Sequence, residues 1–254
     1  MNKLLLLIAF AGMSVHAADF DVLLFDATRY GSTPEKREAK RVAREELKTR
    51  MPDALRAAME WIHGDHVGLQ VLVMEWVLEL PSETVVPVLA DYIDHPREET
   101  RRVAIFFLGF HQAPELADRV MPFLDDEKCR GAAARTLGKW KIASARPALE
   151  NMLVEGNERQ RVVAANALRD LGDAAALPAL IAALNDPVFT VRHTAARAVV
   201  VLGETAPPLL GEETATSDSV NRLRQRILAD LNKLTPAEAL GEPAIALDGA
   251  FFLP

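Results

Sequence analysis

From residue 70 onward, small and apolar side chains recur three and four positions apart behind an arginine, and the block repeats. Residues 161–172 read RVVAANALRDLG, 192–203 RHTAARAVVVLG, 130–141 RGAAARTLGKWK and 101–112 RRVAIFFLGFHQ. A weaker first copy begins at Gln70 with QVLVMEWVLELP. The starts lie 31, 29, 31 and 31 residues apart. Pro87, Pro147 and Pro178 keep a second register, each 17 residues after one start and 14 before the next. Two interlocked spacings define a repeat.

Each unit reads as two helices. The first is expected to carry its proline in the opening turn, where the missing N–H costs nothing, followed by leucines on one face, as in PALIAAL. The second carries the arginine and then paired small residues, Ala133-Ala134, Ala164-Ala165 and Ala195-Ala196. Small side chains let helices approach, with Leu137, Leu168 and Val199 filling the space between. Asp125, Glu155 and Asp186 precede the arginines and predict turn capping together with an ion-pair ladder between repeats.

The repeat array spans 64–210, and both flanks read as caps, since end units of a stack cannot bury their faces alone. Residues 34–63 predict an N-terminal helical cap, opened by Ser32-Thr33-Pro34 and striped by Ala39, Ala43, Leu47 and Met51, with Val42 beside them. A C-terminal cap helix is expected over 217–234 from Val220, Leu223, Ile227, Leu231 and Leu234. Residues 18–33 and 235–254 are expected to be extended.

The pattern P-x-L…D-x-x-x-x-x-R-x-x-A-A-x-A-L, clearest from Pro178 through Val199, resembles HEAT repeats. The short spacing is similar to the HEAT-like repeats of phycobilin lyases rather than to units of about 40–47 residues. The resemblance implies an all-α fold, a right-handed α-solenoid of about five short helix pairs with helical caps. For function it implies a surface that holds a protein partner, since such repeats serve many partners. Its lyase branch implies an alternative, the handling of a cofactor or tetrapyrrole.

Composition narrows this picture. Half of the 254 residues are hydrophobic but only 6% are aromatic, so the core rests on Ala, Val and Leu. The net charge of -7 argues against a nucleic-acid partner, which demands a basic footprint. Residues 1–17, MNKLLLLIAFAGMSVHA, read as a signal peptide: Lys3, then an apolar run, then small residues at a cleavage site after Ala17. The run is too short to span a bilayer, which takes about 20 residues. A soluble periplasmic or secreted protein, beginning at Ala18 with no transmembrane segment, is the expectation. The single cysteine, Cys129, offers no internal disulfide and is expected to be a small buried thiol. Residues 31–50 hold 7 basic and 4 acidic side chains against 20 and 29 over 51–254, which marks the cap helix as a basic solvated face.

Catalytic motifs do not emerge. No histidine precedes a glutamate, so the paired ligands of the HEAT-like hydroxylase of hypusine precursors are missing. His63 and His66 flank Gly64-Asp65, which suggests a turn rather than a metal site. Phosphate loops, nucleophile elbows and Cys–His pairs do not occur. The sequence therefore points to a non-enzyme without a cofactor, and leaves the oligomeric state open. Positions aligned with Val162, Asn166 and Asp170 are spaced by four and fall opposite the Ala–Leu stripe. Across the repeats they collect Arg102, Phe106 and Phe110, then Gly131, Arg135 and Lys139, then His193, Arg197 and Val201. If the second helices line a concave face, as the resemblance to HEAT solenoids implies, Arg102, Phe106, Phe110, Arg135, Lys139 and Arg197 form the expected site for a protein or peptide partner of acidic or apolar character. The alternative is that Phe106 and Phe110 pack under the neighbouring repeat.

Overall fold

The computed structural model describes residues 15–28, 33–62 and 67–205. Among these, every regular element is helical. The chain divides into two compact units, one ending at His111 and one beginning at Gln112.

Among the described residues, the first unit holds six helices: α1 (Val15–Thr28), α2 (Pro34–Thr49), α3 (Asp53–Trp61), α4 (Val67–Glu79), α5 (Ser82–Asp91) and α6 (Glu98–Leu108). Thr33 caps α2 by accepting the Lys36 N–H at 3.4 Å, with Pro34 in the first helical position. Ala43 and Leu47 of the expected stripe are buried, and the cap is itself a helix pair, α2 with α3. Within 18–33, expected to be extended, the structure instead holds most of α1. Phe20, Leu24 and Ala27 recur at three and four residues and are buried against α2, α3 and α4, enough apolar surface to hold a helix. Contact with α4 is close, for a Cβ on Gly68 would lie 2.9 Å from the Thr28 carbonyl oxygen.

The described part of the second unit is built from three helix pairs. Its first helices are α7 (Ala117–Val120), α9 (Arg146–Glu155) and α11 (Leu177–Ala182), each entered through a 3-10 turn, 114–116, 143–145 and 174–176. Its second helices are α8 (Arg130–Lys139), α10 (Glu158–Leu171) and α12 (Phe189–Thr205), which lie side by side with α10 in the middle. Pro147 and Pro178 open α9 and α11 as expected. Pro87 departs from the pattern and sits inside α5, because the preceding turn, 3-10 in the later repeats, is α-helical here.

Ala133, Ala134, Leu137, Ala164, Ala165 and Leu168 are all fully buried, which is the seam the sequence predicts. Gly138 brings the helices closest, since a Cβ there would lie 2.6 Å from the Ala167 carbonyl oxygen. On α12, the last described second helix, Ala195, Ala198 and Leu202 are buried while Ala196 and Val199 are half-exposed. Cys129 is a buried thiol, and Trp140 closes the end of α8. α10 begins with a reciprocal cap in which Asn157 and Gln160 each accept the other's backbone N–H at 3.0 Å. It ends at Gly172, whose φ of 77° favours glycine.

The repeating arginine has one job in each repeat. Arg101 Nη1 donates to the His95 and Pro96 carbonyls at 2.9 and 3.1 Å. Arg130 Nε donates to Leu124 at 2.8 Å, and Arg161 Nη1 to Gly156 at 2.9 Å. Arg192 Nη1 donates to Asp186 and Pro187 at 2.7 and 2.9 Å. A cation from the second helix thus satisfies carbonyls left over at the end of the first. The expected ladder is narrower than the acidic positions suggest. Asp186 grips Arg161 of the preceding repeat, whereas Asp125 and Glu155 form no ion pair among the described residues. The C-terminal cap helix at 217–234, the tail at 235–254 and the His63–His66 turn lie outside the described residues, as do positions 1–14 of the signal peptide.

Candidate partner-binding surface

Of the six expected site residues, Arg102, Phe106 and Phe110 belong to the first unit, and Arg135, Lys139 and Arg197 to the second. In the first unit, Phe106 is only 6% exposed and meets Phe107 and Phe110 at ring-centroid distances of 5.7 and 5.5 Å. Phe110 lies just past the end of α6 and is half-buried, as is Arg102. The repeat register leaves open whether Phe106 faces outward or packs inside, and the structure buries it. Residues 103–108 are buried without interruption, so α6 has no free face along that turn.

The second unit follows the register. Gly131, Arg135 and Lys139 on α8, Val162, Asn166 and Asp170 on α10, and His193 and Arg197 on α12 are all half-exposed, and Val201 is 44% exposed. Three neighbouring helices therefore turn one row each toward the same side, opposite their alanine seam. Asp170 is engaged by its neighbour, with Arg169 Nη2 2.7 Å from Oδ1. The α12 row begins a turn earlier than the sequence pattern places it. Phe189, four residues before His193, is 62% exposed and stacks on that imidazole at 5.9 Å. Arg192 also approaches this aromatic, 5.8 Å from the Phe189 ring centre. A spacing of four extended back past the arginine finds Phe189. Burial, reinforced by the Arg197 cation, holds the His193 pKa below its ordinary value, so the ring is neutral at neutral pH.

Cations at Arg135, Lys139 and Arg197 and an aromatic at Phe189 suit carboxylates and apolar side chains. Among the described residues, no three His, Cys, Asp or Glu side chains gather to hold a metal ion. Nor is any described helix long and apolar enough to cross a membrane.

The profile of HEAT repeats matches residues 121–200 and 147–240, so this part of the chain carries HEAT repeats. The match covers α8 to α12, the helices that form the surface just described, and with the helical pairs it defines an α-solenoid fold. No curated protein matches the chain. Among solved structures, an engineered protein aligns with 16% identity over 90% of this chain and 67% of its own, with a TM-score of 0.49. A second engineered protein aligns with 17% identity over 85% and 97%, with a TM-score of 0.41. Human deoxyhypusine hydroxylase, solved with glycerol, aligns with 17% identity over 87% and 98%, with a TM-score of 0.30.

Proposed function

We propose that this protein is an exported, non-catalytic scaffold that binds an acidic segment of a protein partner across the outer rows of α8, α10 and α12. One observation carries the reading. Arg135 and Arg197 stand at the same repeat position and Lys139 stands one turn further along α8, all on one half-exposed face of a chain whose net charge is -7. Cations gathered on one face of an acidic protein favour an acidic partner and steer its approach. For Arg102 and Phe110 the proposal rests on the repeat register alone, and Phe106, only 6% exposed, falls outside it. Export rests on the Lys3, apolar-run and Ala17 order of the N-terminus.

Affinity capture with the full chain, with partners identified by mass spectrometry, tests this directly. Arg135→Glu combined with Arg197→Glu should leave helical content intact, weaken capture and reduce its salt sensitivity, because surface charges are screened over about 10 Å at 0.1 M salt. Unchanged capture with intact folding would exclude the face. A chromophore retained through purification would replace the scaffold by a tetrapyrrole carrier. Export is tested separately: N-terminal sequencing of the mature protein should begin at Ala18, and a retained Met1 overturns it.

A further inference from the structure

A cavity of about 220 Å³ opens in the first unit between α1, α3 and α4, lined by Asp21, Leu24, Phe25, Thr28, Trp61 and Leu69. Its walls are apolar and two of them are aromatic. Phe25 is 66% exposed and Trp61 43%, although large aromatic side chains seldom stand in water without a use. Asp21, Phe25 and Thr28 recur at four and three residues, so one face of α1 presents all three.

Asp21 is the charged group of this cavity. It is half-buried, yet it makes no hydrogen bond or ion pair among the described residues. Other half-buried carboxylates of the molecule are matched: Asp186 by Arg161, Asp170 by Arg169, and Glu150 and Asp173 both by Arg146. Thr28 offers Asp21 no relief, since its hydroxyl donates to the Leu24 carbonyl at 2.7 Å. A neutral apolar ligand would strip water from the carboxylate and return nothing, and an anion would be repelled. A cation on an apolar stem answers every wall at once. Its charge meets Asp21 and the faces of Phe25 and Trp61, and its methylenes meet Leu24 and Leu69.

We infer that this cleft takes a lysine side chain from an apolar segment of a protein partner. Lysine fits better than arginine, because one carboxylate suits a point charge on a flexible stem rather than a planar fork that seeks two acceptors. A polypeptide fits better than a free amine, because Val22, three residues from Phe25 and so beside it on the surface of α1, is also exposed, at 40%. A small amine would leave it in water, whereas a chain running past Phe25 would cover it. The site lies wholly in the first unit, so it stands apart from the rows of α8 to α12 and shares no variant with them.

The protein carries its own reporter. Of its three tryptophans, Trp76 and Trp140 are buried, so a ligand-induced change in exposed-tryptophan emission reports Trp61. The probes are the acetylated, amidated peptide Val-Leu-Lys-Leu-Val, the same peptide with Nε-acetyl-lysine, and n-butylammonium, each titrated into the full chain. The lysyl peptide should change the emission saturably, and the acetyl-lysyl peptide should bind at least about fivefold more weakly. Asp21→Asn should erase that difference with helical content unchanged, and Trp61→Phe should remove the signal. Equal binding of both peptides, or of neither, overturns the inference. Butylammonium binding as tightly as the lysyl peptide overturns the choice of a polypeptide and assigns the cleft to free amines.

Discussion

Arg161 grips both carboxylate oxygens of Asp186, with Nε 2.7 Å from Oδ2 and Nη2 3.0 Å from Oδ1, and so ties one repeat to the next. Asp186 Oδ1 also accepts the Val188 N–H at 2.8 Å. The hydrogen bond from Arg161 comes first among the causes that hold the Asp186 pKa below its ordinary value. A depressed carboxylate pKa contributes stability above its unfolded value of 3.8, and that stability is lost as the pH falls through the folded value. Melting temperatures of wild type and Asp186→Asn, followed from about pH 6 to pH 3, should therefore converge toward the acid end. Parallel curves would mean that the pair contributes nothing.

Gly138 offers a steric test of the α8–α10 seam. Gly138→Val would drive a side chain into the Ala167 backbone, whose carbonyl oxygen and Cα lie 2.6 and 2.9 Å from where the new Cβ would sit. Backbone cannot yield as a flexible side chain does, so a loss of about 1–3 kcal/mol is expected in chemical denaturation. Gly131→Ala is the control. A Cβ there meets nothing within 4 Å, and the change should be neutral or stabilise by up to about 1 kcal/mol.

Phe106→Ser should lower stability by about 3–5 kcal/mol, the usual cost of deleting a buried aromatic, and Phe110→Ser by distinctly less. Leu168→Asp should unfold the second unit, because its side chain is wholly buried and an unpaired charge there costs about 3–5 kcal/mol. Circular dichroism during urea unfolding separates the outcomes. Equal midpoints for Phe106→Ser and Phe110→Ser would return Phe106 to the surface.

Acid sensitivity near neutrality should come from His111. The ring is buried, and Nδ1 lies 2.9 Å from Ser82 Oγ. Burial is the leading cause that lowers its pKa, opposed by a backbone hydrogen bond with Val77 and by the Glu83 charge. Below the ordinary histidine value of about 6.5 the unfolded chain therefore binds more protons than the folded one, and stability falls with pH. His111→Gln should flatten the fall in melting temperature between about pH 7 and pH 5. His193 shifts in the same direction, so His193→Gln measures its share.

The helical pairs are readable because each repeat encodes its seam and its tether in residues that cannot serve elsewhere. Ala164, Ala165 and Leu168 could only be interior, and Arg161 had to follow a turn. The outer rows of α8, α10 and α12 follow from the same register. Phe106 escapes that logic because opposite-face reasoning assumes a helix with one buried side, and α6 is apolar from Val103 to Leu108. α1 is hard to see because its apolar positions lie close behind the expected signal peptide and read as its continuation. The cleft at Asp21 is illegible in a different way. Its walls come from three helices, and no local pattern announces where Trp61 meets Phe25.

The arginine tether has a consequence for how such a chain can change. Its acceptors are backbone carbonyls, at His95, Pro96, Leu124, Gly156, Asp186 and Pro187. Every amino acid supplies a carbonyl, so the tether fixes how long the turn is and by itself asks nothing of the side chains there. Where no second contact adds a demand, as Asp186 does by gripping Arg161 and Gly156 by its close approach to Met152 and Gln160, the turns between paired helices can change sequence while length is held. Diversity can accumulate along that edge, repeat by repeat, and new recognition can be tried there without loosening the helices behind it.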